Sequence, residues 1–271
     1  MNESMHLYVT GRRVLARRKS GVLRWQRVEP AGEWAWDTAN PASLRFGEPD
    51  AAGKGRRTDL HVYVGSALSK FLVLDLPAGL RDRDESRAAA QAQIQHQLGL
   101  HGADWVFALD LAPAPAKSVV CAVPRDFMER IRELARERNL RLVSLRPYVS
   151  GVWNAFRQDD ASAHPVLMAV EEDAFTLLVA RQGVLQSMSS LRHGRESDLI
   201  EREIKRVELS VGADARRHIR LALPPDLLAM AGTNADKLLR QADGTKSGLH
   251  ADFRDLLFAA AVDTAAEESA E

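Results

Sequence analysis

A strand order stated twice constrains this chain more than any other feature. Residues 6–10, 13–18 and 22–28 are rich in β-branched and aromatic side chains, and Gly11-Arg12 and Ser20-Gly21 supply turn chemistry between them. The same three-strand meander returns at 166–170, 175–180 and 184–191, with Arg181-Gln182-Gly183 as its last tight turn. A helix and a further strand follow each meander. After the second, Ile200, Ile204, Val207 and Val211 keep the period of an amphipathic helix, capped by Ser197 and ended by Gly212, and 218–223 is a strand. Such strands cannot cover both of their faces, so helices must pack on them.

Between the repeats lies a longer, more varied stretch. Residues 29–57 are loose, with Pro30, Pro41 and Pro49. They carry Trp34 and Trp36, two residues apart and so on one face of a strand. Buried, this pair anchors a core; exposed, it is a partner-binding pair, and the sequence leaves both open. Segments 60–64 and 70–76 read as a strand pair around Gly65-Ser66. A helix over 84–98 takes Asp82 or Asp84 as N-cap and Gly99 as its left-handed stop. Strands at 105–109 and 119–123 flank the stiff loop Ala112-Pro113-Ala114-Pro115. Phe127, Ile131 and Leu134 mark an amphipathic helix that Asn139 closes. A strand at 141–145, a helix at 148–156 and a polar linker at 157–164 complete the first half. A closing helix is expected at 253–260 and a solvated tail at 265–271.

The expected fold is therefore α/β and actin-like (ribonuclease H-like), with duplicated halves. The first half spans 1–157 with a small inserted α+β subdomain at about 60–123, the second 165–262, and the tail 263–271. Composition narrows the function. Lys plus Arg and Asp plus Glu each number 37, so the net charge is zero, which argues against a nucleic-acid partner. Cys121 is the one cysteine, which excludes an internal disulfide and fits a reducing, cytoplasmic setting. The N-terminal segment lacks a signal-peptide core, and the apolar run 256–262 is far short of the roughly 20 residues a spanning helix needs. No direct membrane insertion is expected.

Three stretches within 60–156 carry a family likeness: HVYVGSALSKFLVLDLPAG, then RAAAQAQIQHQLGL with ADWVFALD, then VVCAVPRDFMERIRELARERNLRLVSLRP. This region resembles the cytoplasmic actin-like domains of bacterial secretion and pilus assembly platforms, the L component of type II secretion and the PilM-type component of type IV pili. The secretion L component continues into a transmembrane helix, so the expected likeness is closer to the PilM type. The resemblance implies recruitment by the cytoplasmic tail of an inner-membrane platform protein, and contact with the assembly ATPase. The expected partner surface is the inserted subdomain and its groove with the first half, used by strand addition or groove binding.

In an active actin-like ATPase the two meander turns hold phosphates, and each uses an Asp followed by Gly. The first turn here, Thr10-Gly11-Arg12-Arg13, has glycine but no Asp. The second, Glu171-Glu172-Asp173, has acids but no glycine. Where the family has a Gly-Gly pair near the adenosine, this chain has Pro224-Pro225, which removes both N–H groups. The expectation is no cofactor, no catalytic residues and a non-catalytic scaffold. A working ATPase with unusual loops and an unrelated α/β hydrolase or transferase are the alternatives. Gly53-Lys54-Gly55 and Gly244-Thr245-Lys246-Ser247 fail as phosphate loops, the first on spacing and on the residue after Lys54, the second for want of an upstream glycine. Cys121, inside an apolar run, reads as an inert buried thiol. The histidines, of which His96 and His101 lie closest, show no metal spacing, and Ser189, Ser190 and His193 lie in no nucleophile elbow. The alternating charges of 129–138 read as a solvated helix face.

Overall fold

β1 (Asn2–Val9), β2 (Arg13–Val22) and β3 (Trp25–Ala35) build the opening meander. In this computed structural model the described residues are 2–22, 25–47, 57–77, 79–80, 82–110, 117–159, 166–181, 184–194, 199–211 and 219–222. Expectations for Gly53-Lys54-Gly55, residues 112–115, Ser197, Gly212, Pro224-Pro225, residues 244–247, the closing helix and the tail lie outside them.

β1 also pairs in parallel with β4 (Thr58–Val64), which pairs in parallel with β8 (Leu140–Pro147), giving the sheet order β3-β2-β1-β4-β8. In the second half β9 (Val166–Val170), β10 (Ala174–Arg181), β11 (Val184–Arg192) and β12 (Ile219–Ala222) form a sheet ordered β11-β10-β9-β12. Both sheets are thus a meander whose first strand takes a parallel neighbour on its free side. A third sheet, β5-β7-β6, is built from β5 (Lys70–Leu74), β6 (Trp105–Asp110) and β7 (Ser118–Pro124). Four helices accompany the sheets in the described residues: α1 (Arg83–Leu98), α2 (Arg125–Glu137), α3 (Tyr148–Asp159) and α4 (Leu199–Val211).

Several expected boundaries change. Ser20-Gly21 is not a turn, because β2 runs on to Val22, with Gly21 paired to both Asn2 and Gln26. β3 continues through Pro30 into the stretch expected to be loose. Proline is tolerated there because β3 is the sheet edge and the register slips opposite it, between Ala16 and Arg17. The expected pairing of 60–64 with 70–76 is not made. Leu60, Val62 and Val64 alternate into the first sheet's core, and the Gly65 N–H is already bonded to Val9 O at 2.7 Å. The chain therefore crosses between sheets through a short helical turn, Ser66–Leu68, and the separate sheet takes its first strand from Lys70. α3 runs on to Asp159, into the expected linker. The groove described below also departs from expectation, since its third wall comes from the second half.

Other local signals act as read. Asp82 accepts the N–H groups of Asp84 and Glu85, both at 2.8 Å, and Gly99 stops α1 at φ 64°. Asn139 turns left-handed after α2. Phe127, Ile131 and Leu134 bury against Leu7, Val9, Val62 and Val64, each worth about 1.5–3 kcal/mol on burial. Ile200, Ile204 and Val207 are buried along α4. Alternation on β1 and β4 sends Tyr8 and Tyr63 to the opposite face, where they meet Tyr148, Val149 and Val152 of α3 and Leu167, Ala169 and Leu178 of the second sheet. That cluster joins the two halves. The insert has its own small core, Leu74, Ala90, Ile94 and Val120. Among the described residues no helix is long and apolar enough to cross a membrane.

Candidate functional site

The turns after β1 and β9 face one another across the junction of the halves, with the end of β4 between them. Thr10 shapes the first turn, its hydroxyl accepting the N–H groups of Arg12 and Arg13 at 3.2 and 3.0 Å. The second is a tight turn closed by Glu171 N–H to Ala174 O at 2.8 Å, and His193, just after β11, holds it from behind, donating its backbone N–H to Asp173 O at 3.0 Å.

Glu171 reaches from the second half into the first. Its Oε1 accepts the Ser66 N–H at 2.9 Å and its Oε2 accepts the Tyr8 hydroxyl at 2.6 Å. The residue is 1% exposed. Burial pushes its carboxyl up to about 7, with the nearby Asp173 adding to the rise and the bonds from Ser66 and Tyr8 opposing it. Burial, then Glu171, pushes the Tyr8 phenol well above its ordinary range. Asp173 sits over the first turn and accepts the Gly11 N–H, and burial raises its carboxyl too. The approach is close at two glycines. A Cβ on Gly11 would lie 2.3 Å from Asp173 Oδ2, and one on Gly65 would lie 2.7 Å from Glu171 Oε2 and 3.0 Å from Val9 O.

Further contacts ring this centre. Arg13 Nε pairs with Glu172 Oε2 at 2.5 Å. Thr176 donates to Ser66 Oγ at 2.6 Å, and Arg192 Nη2 donates to Ala67 O at 2.8 Å. The Ser66 N–H and the Tyr8 hydroxyl, two donors that could meet a phosphate, are thus already bonded within the chain. Ser190 and His193 do not form a catalytic pair, since Ser190 bonds to Thr176 and His193 Nε2 lies 3.0 Å from Glu171 O. Among the described residues no group of three His, Cys, Asp or Glu could hold a metal ion.

A second feature is a groove of about 600 Å³ with three walls. The insert supplies Phe71, Leu109 and Cys121, α3 supplies Trp153, and the second sheet supplies Leu185 and Met188. Cys121 is half-buried there, its thiol pushed up to about 12 by burial, which keeps it protonated and unreactive.

Trp34 and Trp36 share the inward face. Trp36 is 8% exposed, donates its indole N–H to Thr10 O at 2.8 Å and packs near Phe127. Trp34 is half-buried against the same core. Trp36 thus anchors the first turn, while Trp34 packs on the same core with part of its ring exposed. The charged face of α2 is solvated as read, with Arg130 bridging Glu133 and Glu137.

Tyr8, Ser66 and Trp153 escaped the sequence reading. The tyrosines at positions 8 and 63, each set between buried aliphatics of its strand, were the available signal for a second buried face. Gly65-Ser66 looked like hairpin chemistry and concealed a junction.

Two like sheets, each a meander with a parallel fourth strand, facing each other across paired turns define the actin-like ATPase fold. Solved structures share it. One is a protein of actin-like ATPase fold and unknown function from Bacteroides thetaiotaomicron, with a TM-score of 0.55 at 9% identity over 81% of this chain and 80% of that one. Another is the PilM–PilN type IV pilus biogenesis complex, with a TM-score of 0.54 at 13% identity over 88% and 85%. The cytoplasmic domain of EpsL, an inner-membrane component of the type II secretion system of Vibrio cholerae, gives 0.49 at 9% identity over 75% of each chain. No protein-family model and no curated protein sequence matches.

Proposed function

We propose that this chain is a non-catalytic cytoplasmic scaffold of a bacterial type IV pilus or type II secretion assembly platform. Its main partner is the cytoplasmic tail of an inner-membrane platform protein, and the assembly ATPase is a second. The observation that supports this most is the three-walled groove. It is apolar, open and bordered by β6, an edge strand of its sheet. An extended peptide can add to such an edge while placing alternate side chains in the groove. Likeness in fold to the PilM–PilN complex supports the choice of machine. Trp34 is a lesser candidate contact, through the part of its ring outside the core.

The scaffold reading is further supported by the junction, where Glu172 pairs with Arg13, Asp173 meets Gly11 and Glu171 takes the Ser66 N–H and the Tyr8 hydroxyl. Titration with a peptide of the platform protein's tail tests the reading. Met188→Glu places a charge in the groove and is expected to weaken binding by about tenfold or more, or 1.4 kcal/mol. Unchanged affinity in the folded variant removes the groove from the interface. Calorimetry with magnesium-ATP is expected to show no binding. A micromolar Kd, roughly −8 kcal/mol, overturns the scaffold reading in favour of a working ATPase.

A further inference from the structure

Turns at the ends of adjacent strands are ready anion sites, because their backbone N–H groups point outward together. At this junction the Ser66 and Gly11 N–H groups and the Tyr8 hydroxyl converge from the ends of β4 and β1. We infer that the second half's turn is an intramolecular plug: Glu171 and Asp173 take these donors where an external oxyanion would have to bind, and so clamp the two halves in one closed arrangement. The inference rests on the non-catalytic part of the reading above and is independent of the groove.

The surroundings fit a plug better than a chance contact. Glycines stand at both points of closest approach, Gly11 beneath Asp173 and Gly65 beneath Glu171. The clamp is continued on either side by Arg13 with Glu172 and by Arg192 with Ala67 O, each crossing between the halves. Groups from every neighbouring element face the plug: Tyr8 of β1, Arg12 and Arg13 of the first turn, the 66–68 turn, Glu172 beside it and His193 just after β11. A plug of this kind differs from a merely defective site. A defective site is empty and leaves the halves free to move, whereas a plugged one holds them.

Hydrogen exchange on the full chain tests this. In Glu171→Ala the amides of Ser66 to Leu68 are expected to exchange about tenfold faster, as for loss of one good hydrogen bond, while those of α1 stay unchanged. Glu171→Gln keeps a carbonyl acceptor and is expected to stay near wild type. Tyr8→Phe, which removes only one hydroxyl, is expected to raise the same exchange about threefold, and provides the measurement if Glu171→Ala does not fold. Unchanged exchange in a folded Glu171→Ala, or in Tyr8→Phe where that variant stands in, overturns the plug. Magnesium pyrophosphate is expected to leave wild-type exchange at Gly11 and Ser66 unchanged, and protection there overturns the plug as well. Tail-peptide binding moves in neither case, so a failure here stays distinct from a failure of the platform reading.

Discussion

The turn after β1 and the turn after β9 occupy equivalent places in two sheets of the same strand order, yet their chemistry is opposite. Thr10-Gly11-Arg12-Arg13 presents N–H groups and guanidinium; Glu171-Glu172-Asp173 presents carboxyls. In the actin-like plan both turns address one ligand from two sides. Here they address each other, through Asp173 on Gly11 and Glu172 with Arg13. A missing motif is therefore not the same as a missing function for its position, because each loss is matched by a contact from the other half.

The comparison is broken most completely by Glu171→Ala. Two buried donors, the Ser66 N–H and the Tyr8 hydroxyl, lose their acceptor, at about 1–3 kcal/mol each. Chemical denaturation at pH 6, where the carboxyl is mostly protonated and its burial penalty largely relieved, is expected to show a loss of about 4 kcal/mol. A loss under about 1 kcal/mol sinks the claim that this contact joins the halves.

Acidity sharpens the same contrast. The Glu171 carboxyl rises from 4.5 to about 7 in the fold, so its contribution to stability is fully present below about 4.5 and is lost as pH climbs through about 7. Asp173 moves in the same direction. Relative to Glu171→Gln, the wild type is expected to lose about 3 kcal/mol of unfolding free energy between pH 4.5 and pH 7.5, since each tenfold gain in proton affinity on folding is worth about 1.4 kcal/mol. Parallel pH profiles for the two proteins contradict the assignment.

The smallest effect comes from the donor side. Gly65→Ala presses a methyl against Glu171 Oε2 and, less escapably, against Val9 O of the backbone. Overpacking of this kind costs about 2 kcal/mol. Combined with Glu171→Ala the cost is expected to fall below the sum of the single changes, since one of the two clashes is gone. Strict additivity in a double-mutant cycle is the outcome that counts against direct contact.

The repeated meander and the helix faces were legible because alternation and the 3.6-residue period are local, and Phe127, Ile131 and Leu134 bury where their spacing puts them. So was the chemical poverty of each turn taken singly. What the turns do was not legible, since Glu171 and Tyr8 lie 163 residues apart and their bond is a product of how two sheets meet. Gly65-Ser66 failed for a related reason, because a hairpin and a crossing between sheets use the same small residues. Pro30 reads as a break only if the strand is interior, and nothing local marks β3 as an edge.

β4 and β8 are neighbours in the first sheet, and Asp59 meets Arg141 at 2.8 Å. The whole insert lies between them in sequence. Closing so long a loop costs chain entropy, but the insert reduces it by pairing its own strands, Lys70 opposite Ala122, over a core of neighbouring residues. As the chain emerges from the ribosome, β1 to β4 can zip together while β8 is still being made. The outer edge of β4 then stands unpaired, its Leu60, Val62 and Val64 already committed to a sheet with an open side. Between synthesis of Val64 and of Leu140 that open edge can pair with the wrong strand, and early closure of the insert brings β8 within reach of β4 as soon as it is made.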